Sequence, residues 1–138
     1  SLFFLTIVGV LFLRIIYLTI KTNHREKRLK NLNSSERIEQ YYYDINSLLG
    51  LLGFPKNNDE TYYEYSNRIN YKFFKLDDIE LKKITDIFIK TKYGYKEASN
   101  EEIELMEKFR AILINRYKNY EGKLKYLMKK YVLGSIKF

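Results

Sequence analysis

The sequence predicts an all-α protein: one N-terminal transmembrane helix followed by a small bundle of about four helices, the last one long. Three observations predict it. Leu2–Leu13 is apolar except for Thr6. Four later segments carry apolar residues at spacings of three and four, each with a capping signal at its start. No stretch alternates apolar and polar residues as a strand does, no hairpin dipeptide separates apolar runs, and no internal repeat stands out.

The first element is the apolar run. Arg14 interrupts it and Ile15–Ile20 continues it. As a helix, Leu2–Ile20 rises about 28 Å, close to the ~30 Å hydrocarbon core of a bilayer. Arg14 then lies about 10 Å from the basic end, within reach of the interface by snorkelling. A second reading is equally open. The chain begins with Ser1 rather than Met, so the span can start upstream and end near Leu13, leaving 14–20 at the interface. A signal peptide is disfavoured, because the basic residues follow the apolar run and no small-residue cleavage site is present. Lys21, Arg25, Lys27, Arg28 and Lys30 come next, against Glu26 alone. Lys and Arg beside a span mark its cytoplasmic end and attract anionic lipid. Residues 1–20 are therefore expected to be a transmembrane helix in the cell membrane, 21–34 a basic juxtamembrane linker, and 35–138 a cytoplasmic helical domain.

The first helix of that domain starts after Ser34-Ser35, either of which can cap, with Glu36 in the first turn. Ile38, Tyr41, Tyr42, Ile45, Leu48, Leu49 and Leu52 form one stripe; Gly53 ends it and Pro55 prevents continuation. The second starts at Thr61, where Thr61 and Glu64 form a capping box, and buries Tyr62, Tyr65, Ile69 and Phe73. The third starts at Asp77 with Glu80 three residues on, buries Leu81, Ile84, Ile87 and Phe88, and ends at Tyr93-Gly94. Gly94 is expected at positive φ, where glycine is the usual residue. The fourth starts at Ser99 with Glu102 three residues on. Its inward positions are Ile103, Met106, Phe109 or Arg110, Leu113, Tyr117, Tyr120, Leu124, Leu127 and Tyr131. That run is long for a globular helix; Gly122 marks a kink or break and Gly134 a stop.

Composition narrows the chemistry. The 138 residues carry a net charge of +8, no Cys and a single His, His24. Disulfides, thiolate nucleophiles and Cys- or His-rich metal sites are excluded, and no catalytic residue, cofactor, metal site or small-molecule substrate is expected. The charge is uneven: +5 over Arg14–Arg37, +6 from Arg116 to the end, and −3 in between. The acidic pairs Asp77-Asp78 and Glu101-Glu102 are explained by their places at helix starts. Lysines interleave with Tyr117, Tyr120, Tyr126 and Tyr131 in the tail, the general recipe for binding single-stranded nucleic acid. Those tyrosines also fall at helical core spacing, which is the stronger reading. A chain rich in Lys, Ile, Asn and Tyr and poor in Ala is also what an AT-rich genome produces, so neither Lys nor Tyr is diagnostic.

The order of several short segments resembles a known family. They are Leu51-Leu52-Gly53-Phe54, then Glu60-Thr61-Tyr62-Tyr63-Glu64-Tyr65 with Arg68, then Thr85–Phe88 and Lys92-Tyr93-Gly94, then Ser99 before an acidic helix start. This resembles the C-terminal domain of unknown function that follows the last membrane helix of bacterial transglutaminase-like (protein-glutamine gamma-glutamyltransferase-like) membrane proteins. The likeness covers roughly Ser35 to Leu113, plus the placement of the membrane helix. Tyr62 stands where that family usually has Pro, and Thr91-Lys92 where it has Ala-Arg. The resemblance implies a polytopic parent with its transglutaminase- or protease-like domain outside the cell. This chain is then a non-catalytic cytoplasmic interaction or regulatory domain, with a MoxR-type ATPase as its protein partner. A transglutaminase site needs a Cys nucleophile beside a His, so that chemistry cannot reside here. The alternative is a stand-alone membrane-tethered module that binds anionic lipid or nucleic acid.

Overall fold

A computed structural model describes residues 1–72 and 79–138, the side chains of 71 and 72 excepted. The chain is all-α, with a long apolar N-terminal helix followed by a helical bundle. The elements are α1 (Leu2–Asn31), α2 (Ser34–Leu51), α3 (Tyr62–Lys72), α4 (Leu81–Tyr93), α5 (Asn100–Glu121), α6 (Lys123–Met128) and a π-helical turn, Lys129–Leu133. They form two compact units: a helical body, Leu32–Tyr117, and an anchor unit made of Ser1–Asn31 and Lys118–Phe138.

In the body, the seven apolar residues expected on one face of α2 are all buried, from Ile38 to Leu52. The N-cap is Asn33 rather than Ser34 or Ser35. Its side-chain oxygen accepts from Glu36 N–H at 2.9 Å, and Asn serves there as well as Ser. The helix stops at Gly53 as expected. Gly53 sits at φ 95°, Phe54 N–H reaches Leu49 O at 2.9 Å and Gly53 N–H reaches Gly50 O at 3.0 Å. That is a Schellman ending, which needs a left-handed residue.

Thr61 and Glu64 make the predicted capping box on α3: Thr61 N–H to Glu64 Oε2 at 2.7 Å and Glu64 N–H to Thr61 Oγ1 at 3.2 Å. Tyr65 and Ile69 are buried; Phe73 lies outside the described residues. Asp77 and Asp78 lie outside them too; in the described residues α4 begins at Leu81, with Glu80 as an N-cap that makes no side-chain capping bond. Instead Asn70 of α3 accepts from Leu81 N–H at 3.2 Å. The cap comes from a neighbouring helix, which local sequence cannot reveal. Leu81, Ile84, Ile87 and Phe88 are buried. The core of the body is aromatic. Tyr42 stacks on Phe88 at 4.0 Å between centroids, and Tyr62 meets both edge-on at 5.6 and 5.1 Å. Its place here has a use that proline could not supply.

Gly94 is a correction. It sits at φ −88°, ψ −4° and caps α4 through its N–H to Lys90 O; the left-handed residue is Tyr95, at φ 51°. Glycine is still required, because a Cβ at 94 lies 2.5 Å from Lys90 O. Ser99 and Glu102 form a second capping box, at 3.0 and 3.2 Å. α5 buries Met106, Phe109, Arg110, Leu113 and Tyr117, so Phe109 and Arg110 both face inward. Two polar links hold α5 to α2: Arg110 Nε to Asp44 Oδ2 at 2.9 Å and Tyr41 OH to Glu107 Oε1 at 2.8 Å.

In the anchor unit, α1 runs unbroken for 30 residues. The basic stretch after Ile20 is thus the end of this helix, since Lys, Arg, Glu and Leu are all good helix formers. The predicted break at Gly122 is present at φ 86°, and the stop at Gly134 is left-handed at φ 64°. Beyond the break the predicted inward face is wrong. Leu124 is 76% exposed, whereas Tyr126 is buried; Tyr120, in the last turn of α5 before the break, is 68% exposed as well. The turn at Gly122 resets the helical phase, so a stripe extrapolated through it points the wrong way.

Candidate membrane-surface site

The anchor unit carries the features that local sequence marked for a membrane. In the 18-residue apolar stretch of α1 no residue is fully buried. Its hydroxyls are satisfied within the helix: Thr6 donates to Phe3 O at 2.7 Å and Thr19 to Ile15 O at 2.8 Å. A helix in lipid has to arrange its polar groups in this way.

Arg14 interrupts that stretch with a definite partner. Its guanidinium donates to Val132 O and, at 3.1 Å, to Leu133 O. These are end carbonyls of the π-helical turn, which lack helical donors of their own. Next to them Gly134 meets α1 closely; a Cβ there falls 3.1 Å from Leu18 Cδ2. The tail beyond α5 therefore lies along α1. Tyr126 OH closes it by donating to Phe138 O at 2.8 Å.

This packing makes a basic pocket of about 320 Å³. Lys21, His24, Arg25 and Arg28 line it from α1, Lys130 and Lys137 from the tail, and no Asp or Glu is among its lining residues. Lys27 and Lys30, expected at the membrane surface with the others, are exposed and do not line it. Nearer the apolar end, Ile15 and Thr19 face Leu127, Met128, Tyr131 and Val132 across an apolar groove of about 410 Å³. The anchor unit has twelve Lys and Arg against two Glu, a net of +10; the body has thirteen against fifteen acids, a net of −2. Sequence reasoning missed Lys130 and Lys137 as members of the site. The signal that could have found them was the positive charge at both ends of the chain.

The first of the residues that carried the family likeness, from Gly53 to Arg68, come together elsewhere, in the body, and make one joint; the rest lie along α4 and at the start of α5. Arg68 grips Glu60 with two bonds of 2.7 and 2.8 Å and donates to Pro55 O at 2.8 Å. Its guanidinium lies 5.3 Å from the Tyr65 ring centre, and Tyr65 OH donates to Phe54 O at 2.6 Å. With the Gly53 stop and the Thr61–Glu64 box, these residues fix the connection between α2 and α3. The Arg68 guanidinium holds the Glu60 carboxyl down to about 2. Tyr93, also in the likeness, is 57% exposed and meets Phe88 edge-on.

A third cluster joins α2 to α4. Lys92 reaches Glu39 at 3.1 Å and donates to Tyr43 OH, which itself donates to Glu39 at 2.9 Å. The Tyr43 hydroxyl raises the Lys92 ammonium above its ordinary range, and the same hydroxyl lowers the Glu39 carboxyl. Of the acidic pairs, Glu102 caps α5 and pairs with Lys90. Among the described residues no group of three or more His, Asp or Glu could hold a metal ion.

Fold and site define a class: an all-α protein with one exposed apolar helix, a basic unit around its polar end and a mildly acidic helical body. No family model matches the chain, and no characterised protein or solved structure is significantly similar to it.

Proposed function

We propose that this chain is a membrane-anchored, non-catalytic helical module. α1 enters the bilayer, the basic anchor unit rests on the cytoplasmic surface, and the body serves as an interaction or regulatory domain in the cytoplasm. One observation carries the reading. α1 holds an 18-residue apolar stretch of which no residue is fully buried, although the tail lies against its end at residues 14–19. A helix of that kind belongs in a core or in lipid, and here no core surrounds it. Orientation follows from the Lys and Arg at its end.

Within this reading, the likeness to the cytoplasmic domain of bacterial transglutaminase-like membrane proteins rests on motif order alone. On that basis the partner is a protein such as a MoxR-type ATPase, and any catalysis lies elsewhere in the parent. Nucleic acid is the weaker alternative. Stacking needs open ring faces, but of the four tail tyrosines Tyr117 and Tyr126 are buried and only Tyr120 is largely exposed.

The absence of native cysteine gives a clean test. Single cysteines replace Ser35 or Ser99 in the full chain expressed in a bacterium. Membrane-impermeant maleimide should label them in inverted vesicles and not in intact spheroplasts, and the chain should resist alkaline extraction. Release into the soluble fraction, or labelling from outside, overturns the proposal.

A further inference from the structure

We infer that the basic pocket of the anchor unit holds the phosphate head of an anionic phospholipid. The inference rests on α1 being the membrane anchor and adds a defined site to it. Five Lys and Arg and one His converge from two ends of the chain, and no carboxylate lines the pocket they form. A cleft lined by one sign of charge concentrates anions, and the pocket keeps that character although Arg25 also lies 3.7 Å from Glu26. A phosphate offers oxygens that accept charge-assisted bonds from several donors at once.

Depth favours lipid as the source of that phosphate. Lys21 directly follows the apolar run, and Lys21–Arg28 covers about 10 Å of helix rise, which begins in the headgroup layer next to the ~30 Å hydrocarbon core. The apolar groove beside Ile15 and Thr19 lies further into the span. Moving outward along α1, groove precedes pocket, as acyl chain precedes phosphate in a leaflet. The tail adds exposed apolar side chains to the same unit: Leu124 at 76%, Leu133 at 59% and Met128 at 48%. In water these are a liability; at an interface lipid covers them. Arg14, bonded to Val132 O and Leu133 O, holds this part of the tail at the depth where it meets the groove.

The test uses the full chain in nanodiscs of mixed phosphatidylcholine and phosphatidylglycerol, with retained lipid counted by native mass spectrometry. Lys130→Glu with Lys137→Glu is compared with Lys123→Glu with Lys125→Glu, an equal change of charge on tail residues that do not line the pocket. The pocket pair should lose retained phosphatidylglycerol by about tenfold, while the control pair keeps it. Equal loss in both variants means diffuse attraction and overturns the inference. So does retention in both, or displacement of the lipid by inorganic phosphate alone. Should charge reversal unfold the tail by circular dichroism, Lys→Gln versions carry the same comparison. Vesicle flotation separates the two proposals. A wild-type chain that fails to float defeats the anchor, whereas one that floats without selective retention defeats only the pocket.

Discussion

At the scale of single residues, the joint between α2 and α3 is the clearest case of local sequence becoming geometry. Thr61→Ala removes one half of a capping box whose bonds are 2.7 and 3.2 Å. It should cost about 1 kcal/mol, read as a lower midpoint in chemical denaturation of the full chain in detergent. Glu60 predicts a pH dependence. Its carboxyl is held down to about 2 by Arg68, from an ordinary value of 4.5. A depressed folded-state pKa stabilises the fold above the unfolded value and loses that contribution as pH falls through the folded one. Thermal stability should therefore drop between pH 4.5 and about 2, and Glu60→Gln should flatten that slope. An unchanged slope removes the assignment. Thr61 was legible because capping acts over a few positions; Glu60 and Arg68 stood in the sequence only as members of the family likeness, and their pairing was read from the structure. Gly94 was legible as a glycine but not for its reason: close approach to the Lys90 carbonyl, not positive φ, demands it.

Among elements, the buried pair that ties α5 to α2 sets the energetics. Asp44 and Arg110 have side chains only 1% and 9% exposed. Truncating one partner strands a buried charge, so Arg110→Met should destabilise by about 3–5 kcal/mol. Asp44→Leu combined with Arg110→Met should recover much of that, because the desolvation cost vanishes with both charges. A double variant less stable than either single one contradicts this. The amphipathic stripes of α2 and α4 could be read from spacing, since one regular helix propagates its phase. Past Gly122 the phase is lost, so Tyr126 rather than Leu124 is buried.

For the whole molecule, the division into two units predicts separable behaviour. Arg14→Leu removes the bonds to Val132 O and Leu133 O. Amide exchange should then quicken across residues 129–138 while the amides of Ile38–Leu49 keep their protection. Equal loss of protection in both places means one cooperative structure instead of two. The same division partitions charge, with +10 in the anchor unit and −2 in the body. One unit is thus suited to an anionic surface, and the other is free of that attraction.

Sequence alone determined the all-α class, the apolar helix, both capping boxes, the glycine stops at 53 and 134 and the break at 122. All of these are set by side chains acting within one or two turns of backbone. Tertiary structure alone decided the cap that Asn70 lends to α4, the Asp44–Arg110 pair, the grip of Arg14 on the tail and the pocket built from both ends of the chain. Those contacts join residues far apart in sequence, and their geometry exists only once the helices have packed.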